Sequence, residues 1–182
     1  MLERYNRYVY IKRIARQEVD NLDPIEKFII WAKDNEWTVK NKITKLNLPK
    51  DIIERYPNIN QEYRQFLNVI ENCVTPDETV WFLCENGYNI NQDIAWPYNE
   101  FEEMDLETVD NEQEKDDIKN YWNRFMPIVF SVGGDYLYFA LDTQDRSGSI
   151  VQGFVVDSGE YIVIASSFYE FLDKIMNNQV VF

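Results

Sequence analysis

Apolar residues recur at two intervals along this 182-residue chain, first at the spacing of helices and later at that of strands. Ile25, Phe28, Ile29 and Ala32 form a stripe with the 3.6-residue period. Asp23 and Pro24 ahead of it make a helix start: the aspartate can cap, proline suits the first turn, and Glu26 can reach back. The preceding stretch, Leu2 to Val19, also reads as helical, with Arg4, Arg7, Lys12, Arg13 and Arg16 on a solvated basic face. A short helix over Asp51–Arg55 should stop ahead of Pro57, because a residue before proline is driven out of the helical region. Tyr63, Phe66, Leu67 and Ile70, at i, i+3, i+4 and i+7, predict a longer one. Thr79–Cys84 reads as a strand that Gly87 terminates. Tyr88–Thr108 is mixed, with Ile90, Ile94, Trp96, Phe101, Met104 and Leu106 expected to pin it to the body. Glu112–Phe125 predicts an acidic helix anchored by Ile118, Tyr121, Trp122 and Phe125.

The closing third changes period. Pro127–Val132, Tyr136–Asp142, Ile150–Val156 and Tyr161–Ala165 read as four strands, and Leu137, Phe139 and Leu141 alternate with Tyr136, Tyr138 and Ala140, so that strand should be covered on both faces. Gly133-Gly134 offers positive-φ freedom for a hairpin turn, and Asp157-Ser158-Gly159 is a second turn signal. Ser167 and Glu170 form a capping box, after which Phe168, Phe171, Leu172, Ile175 and Met176 fall on one helix face. Strands with one apolar face each need a cover, and this helix supplies it. The expected fold is α+β, helices packed on a mainly antiparallel sheet. Residues 1–48 form an N-terminal helical extension packed on a main domain spanning 49–182.

The ordered pieces resemble the SMI1/KNR4 family, also called the SUKH superfamily. Ile59-Asn-Gln-Glu-Tyr-Arg-Gln-Phe-Leu67 is similar to the family's Leu-Pro-x-x-Tyr-x-x-Phe-Leu helix, with Asn60 where proline is usual. Pro127–Asp142 resembles its strand, Gly-Asp turn and strand. Gly148-Ser-Ile-Val-Gln resembles the following glycine and strand, and Ala165-Ser-Ser-Phe-Tyr-Glu-Phe-Leu172 the terminal serine-phenylalanine helix. The resemblance covers roughly residues 50 to 176 and implies a binding protein. Bacterial members are similar to immunity proteins that neutralise the toxin domains of polymorphic or contact-dependent systems, often nucleases, and fungal relatives are linked to cell-wall synthesis. It implies no catalytic apparatus.

Charge adds what periodicity lacks. Residues 1–50 hold 11 Lys/Arg and 7 Asp/Glu, whereas residues 51–182 hold 7 and 25, for a total of −14. Between Glu100 and Asp117 ten carboxylates face Lys115 alone. Such a field repels nucleic acid and anionic membranes, and it attracts basic partners over about 8–10 Å. The start lacks a signal-peptide run, and no window approaches ~18 apolar residues, so the expectation is a soluble cytoplasmic protein. Cys73 and Cys84 have no metal-type spacing and suit small buried positions.

The chain has no histidine, which removes the usual catalytic triads, histidine zinc sites and imidazole acid–base chemistry. Ser166 and Ser167 read as caps rather than nucleophiles, and Asp135, Asp142 and Asp145 as turn aspartates rather than a metal cluster. No cofactor and no metal are expected. The leading expectation is a non-enzymatic immunity or interaction protein that binds a cognate, basic toxin domain. Its contact residues would be Glu100, Glu102, Glu103, Asp105, Glu107 and Asp110, with Trp96, Tyr98 and Phe101 as anchors or, equally, as core. The alternative is a regulatory ligand-binding domain or carboxylate-dependent enzyme, which predicts an aromatic pocket with convergent acids of perturbed pKa.

Overall fold

A computed structural model describes residues 22–90, 96–155 and 159–182. Seven strands form one antiparallel sheet in which each strand pairs with the next in sequence: β1 (Thr38–Asn41), β2 (Ile70–Val74), β3 (Val80–Phe82), β4 (Phe125–Ser131), β5 (Leu137–Asp142), β6 (Ile150–Phe154) and β7 (Tyr161–Ala165). The helices are α1 (Pro24–Asp34), α2 (Lys50–Arg55), α3 (Gln61–Val69), α4 (Glu100–Glu107), α5 (Glu112–Arg124) and α6 (Phe168–Met176). The expected α+β architecture, helices on an antiparallel sheet, is the one observed. The N-terminal reading over Leu2 to Val19, the expected anchor Ile94 and most of the Asp157-Ser158-Gly159 turn lie outside the described residues.

Side chains alternate across a strand, so consecutive aromatics serve opposite faces of the sheet. On one face Phe82 and Phe139 meet Phe28 of α1, Phe66 of α3 and Phe171 of α6, with ring centroids 4.9–5.3 Å apart. On the other, Phe130 packs on Phe101 of α4 at 4.2 Å and Tyr138 on Trp122 of α5 at 4.7 Å. β4 and β5 lie between these layers and are buried along their whole length, as the alternation of bulky residues at 136–141 requires. Pro127 is tolerated in central β4 because the register shifts between Pro127 and Val129. The freed Pro127 carbonyl accepts from the buried Tyr88 hydroxyl at 2.6 Å.

The register sets Trp81, Phe130, Tyr138, Gly153 and Tyr161 in one row across five strands. Gly153 is the gap in that row. A Cβ there would fall 2.2 Å from the Tyr138 hydroxyl oxygen, so the tyrosine ring lies where a side chain would otherwise stand. The hydroxyl then reaches the Tyr121 hydroxyl of α5 at 2.5 Å.

Local signals mostly match. The Asp23 carboxylate accepts from the Ile25 N–H at 2.9 Å and starts α1, with Ile25, Phe28 and Ala32 buried. The Ser167 hydroxyl accepts from the Glu170 N–H at 3.2 Å, while the Glu170 carboxylate reaches the N–H and hydroxyl of Ser166 instead of closing on Ser167. Asn60, where the family usually has proline, caps α3 through the Glu62 N–H and also donates to the Ser147 carbonyl at 3.0 Å. That side chain fills the space beside Gly148, whose φ of 71° suits glycine.

Three expectations need correction, and β1, like β2, is not among the strands that the sequence predicts. Gly133 and Gly134 do not use positive φ, because residues 132–136 form a connection longer than a two-residue turn; Gly133 is instead close to Thr79 Oγ1. Ile70 begins β2 rather than ending α3: it is fully buried, and a stripe residue can serve either element. β1 is an edge strand with only Val39 half-buried, so its sequence carries no alternation. Ile90 pins nothing and is half exposed.

Candidate interaction surface on the acidic helix pair

Helices α4 and α5 carry the acidic run, and each places carboxylates in its first turn: Glu100, Glu102 and Glu103 on α4, Glu112 and Glu114 on α5. Acids there complement the exposed N–H groups of a helix start. Asn111 caps α5 by accepting from the Gln113 N–H at 2.8 Å. Phe101 and Trp122 turn the pair onto the sheet, which leaves the remaining positions to solvent.

The nine residues singled out from the sequence divide into three groups. Glu103, Glu107 and Asp110 face solvent. Glu100 and Trp96 are half-buried; the Trp96 ring meets Trp81 at 5.9 Å and Tyr136 at 5.7 Å, forming a partly open aromatic patch. Phe101, Tyr98, Glu102 and Asp105 are interior, at 0, 7, 7 and 2 % exposure. These four hold α4 in place, and their side chains are not presented to a partner.

The two interior acids have specific partners. Arg55 of α2 meets Glu102 through two contacts of 2.8 Å, and its guanidinium lies 5.4 Å from the Tyr56 ring and 5.8 Å from that of Tyr98. Burial works against the Arg55 charge, but the hydrogen bonds and charge of Glu102, together with Tyr56 and Tyr98, more than offset it and hold its pKa above the ordinary arginine value. Asp105 accepts from the Trp122 indole N–H at 2.9 Å. Burial pushes Asp105 up to about 6, the indole bond opposing and the nearby Glu102 adding to the shift.

Asp105 also floors a cleft of about 250 Å³ between the two helices. Glu114 and Asp117 rim it, Ile118, Tyr121 and Trp122 form its apolar wall, and Gly159 approaches from the sheet. In the sequence Glu114 and Asp117 belong to the acidic run but not to the expected contact residues. A signal was available: Glu114, Asp117, Ile118 and Tyr121 stand at i, i+3, i+4 and i+7, a helix face that grades from acidic to aromatic. The exposed set is therefore Glu103, Glu107, Asp110, Glu112, Glu114, Asp116 and Asp117, accompanied by Lys115, which pairs with Glu112 at 3.2 Å, and Lys119.

Other candidate chemistry resolves into structure. Asp142 is bound by Arg124 at 2.7 and 3.1 Å, and Asp145 accepts from the N–H and hydroxyl of Ser147, which draws its pKa down to about 2. Cys73 and Cys84 are free and buried, and burial pushes the Cys84 thiol up to about 12, far from a reactive thiolate. Among the described residues no group of three or more His, Cys, Asp or Glu side chains could hold a metal ion, and no helix is long and apolar enough to cross a membrane.

No curated protein matches the chain. The profile of the SMI1 / KNR4 family (SUKH-1) matches residues 40–174, from the edge strand β1 to the closing helix α6. That span takes in all seven strands almost entirely, and the chain belongs to the SMI1/KNR4 family (SUKH-1).

Proposed function

We propose that this protein is a non-enzymatic, cytoplasmic immunity protein that binds a cognate basic toxin domain and blocks it stoichiometrically. The observation that carries this reading is the outward set of carboxylates on α4 and α5, displayed on one side of the sheet with few cations among them. Such a surface imitates the charge of a nucleic-acid substrate and steers a basic protein toward it, raising association from ~10⁵–10⁶ toward ~10⁸–10⁹ M⁻¹s⁻¹ at low salt. Trp96 and Tyr136, both partly open beside α4, supply aromatic contact area of the kind that dominates interfaces. Membership of a family with immunity proteins supports the same reading. Co-expression with basic toxin domains from the same genome tests it: growth should be rescued by the intact chain and not by one in which Glu103, Glu107, Asp110, Glu114 and Asp117 are lysine. Rescue by both chains would remove the acidic surface from the mechanism.

A second reading draws on the cleft. Aromatic walls, two rim carboxylates and an interior aspartate whose carboxylate a bound cation would stabilise are what a regulatory site for a small cationic ligand would present. Its volume is just below the ~300 Å³ at which ligand pockets usually begin, which favours a single amine or guanidinium group over a larger molecule. Calorimetric titration with agmatine and spermidine separates the readings. Saturable binding lost in Asp117→Asn supports the ligand site, and no heat at millimolar ligand opposes it.

A further inference from the structure

The two edges of the sheet are built differently. β1 is short and polar, and it carries the exposed Lys40, which reaches Glu71 at 2.6 Å; a short, charged edge resists further pairing. β7 is the opposite. It bonds β6 along one side, and no strand among the described residues meets its other side. Its side chains are apolar and open, with Ile162 60 % and Val163 63 % exposed. The Ile164 carbonyl accepts from Lys174 at 2.6 Å, so the strand is closed at its C-terminal end and open from Tyr161 to Val163.

An open apolar edge is a template for another strand, and the surrounding charge selects which. Tyr161 packs against Tyr121 and Phe125, so the start of β7 lies beside α5. Gly159, two residues upstream, lines the cleft of Asp105, Glu114 and Asp117, and Glu160 is exposed next to it. Arg124, 5.7 Å from the Tyr161 ring, is already neutralised by Asp142. A second copy would bring the same carboxylates and a further charge of −14 to this edge. A basic strand meets opposite charge.

We propose that the outer edge of β7 receives an extended segment of the basic partner as an eighth strand. Side chains alternate along a strand, so one set would lie beside Val163 and the acidic cleft and the other beside Ile162. The matching segment alternates lysine or arginine with apolar residues. This rests on the reading of the protein as a binder of a basic partner, and deepens it by naming the mode of contact.

Two octapeptides of equal composition test it on the full chain: one alternating valine and lysine, one with four valines followed by four lysines. The alternating peptide should bind at least tenfold more tightly by fluorescence anisotropy and slow amide exchange at Tyr161–Val163. Ile162→Lys and Val163→Lys should each weaken it about tenfold with unchanged melting temperature, since both side chains are largely exposed. Equal binding of the two peptides, slowed exchange elsewhere, or full binding to both lysine variants overturns the proposal. So does an edge already protected in the free chain, whether by a second copy at high concentration or by the chain's own residues 1–21, as their deletion would reveal. Partner binding that survives the edge substitutions but is lost on reversing the α5 carboxylates overturns the edge alone; survival of both overturns the acidic-surface reading as well.

Discussion

Both faces of the sheet bury aromatic rings, but they are covered in different ways. Under α1, α3 and α6 the contacts are mainly phenylalanine on phenylalanine: Phe28, Phe66 and Phe168 around Phe82, and Phe171 on Phe139, with Trp37 and Tyr63 among them and the Tyr63 hydroxyl bonded to the Leu83 carbonyl and the Tyr88 hydroxyl. Under α4 and α5 the aromatic row is interleaved with polar groups, namely Asp105 on the Trp122 indole, Glu102 on Arg55 and Tyr138 on Tyr121. The largely dry face maximises burial. The polar face leaves a cleft, carries a titrating acid in its interior and holds two helices whose outer positions are free to be charged. On the proposed function, the first face is scaffold and the second is the side on which binding is built.

Substitutions separate the two. Phe168→Ala on the dry face should cost about 3–5 kcal/mol in urea denaturation, the usual cost of truncating a buried phenylalanine, with partner association unchanged once the protein is folded. Arg55→Ala on the polar face strands the interior Glu102 carboxylate and should cost up to about 3 kcal/mol. A smaller loss would mean that water reaches Glu102. The third test uses pH. Because Asp105 is raised to about 6 in the folded chain from an ordinary 3.8, its protonated form is the one the fold favours. Its contribution to stability is complete below the unfolded value and is lost as pH rises through 6. Asp105→Asn keeps an oxygen for the Trp122 N–H and removes the charge, so its melting temperature should exceed that of the parent by about 2–4 °C at pH 8, the change ~1 kcal/mol produces in a domain of this size. The two should converge near pH 4.

The sequence made the dry face legible and the polar face only in part. The stripes at Ile25–Ala32, Tyr63–Leu67 and Phe168–Ile175 are strong because apolar cover leaves a single-period pattern, and the caps at Asp23 and Ser167 are local chemistry. β1 and β2 were not legible: one is a polar edge, and the other begins where a helical stripe could have continued. On α4, charge was a poor guide to direction. Glu102 and Asp105 differ from Glu103 and Glu107 only in the partners that tertiary packing brings them, Arg55 and Trp122, which lie 47 and 17 residues away in the chain. The cleft was hidden for the same reason, since it needs α4, α5 and Gly159 together.

The smallest effect on stability should accompany the largest on binding. Reversing Glu103, Glu107, Asp110, Glu114 and Asp117 to lysine changes only exposed side chains and should shift stability by about 0.5 kcal/mol or less per site. The direct measurement is the association rate constant of this variant and the parent with the basic toxin domain proposed as the partner, followed by stopped flow from low to physiological salt. The parent rate should fall steeply with salt, and the variant should be at least tenfold slower at low salt with little salt dependence. Equal rates at low salt would contradict the acidic-surface reading.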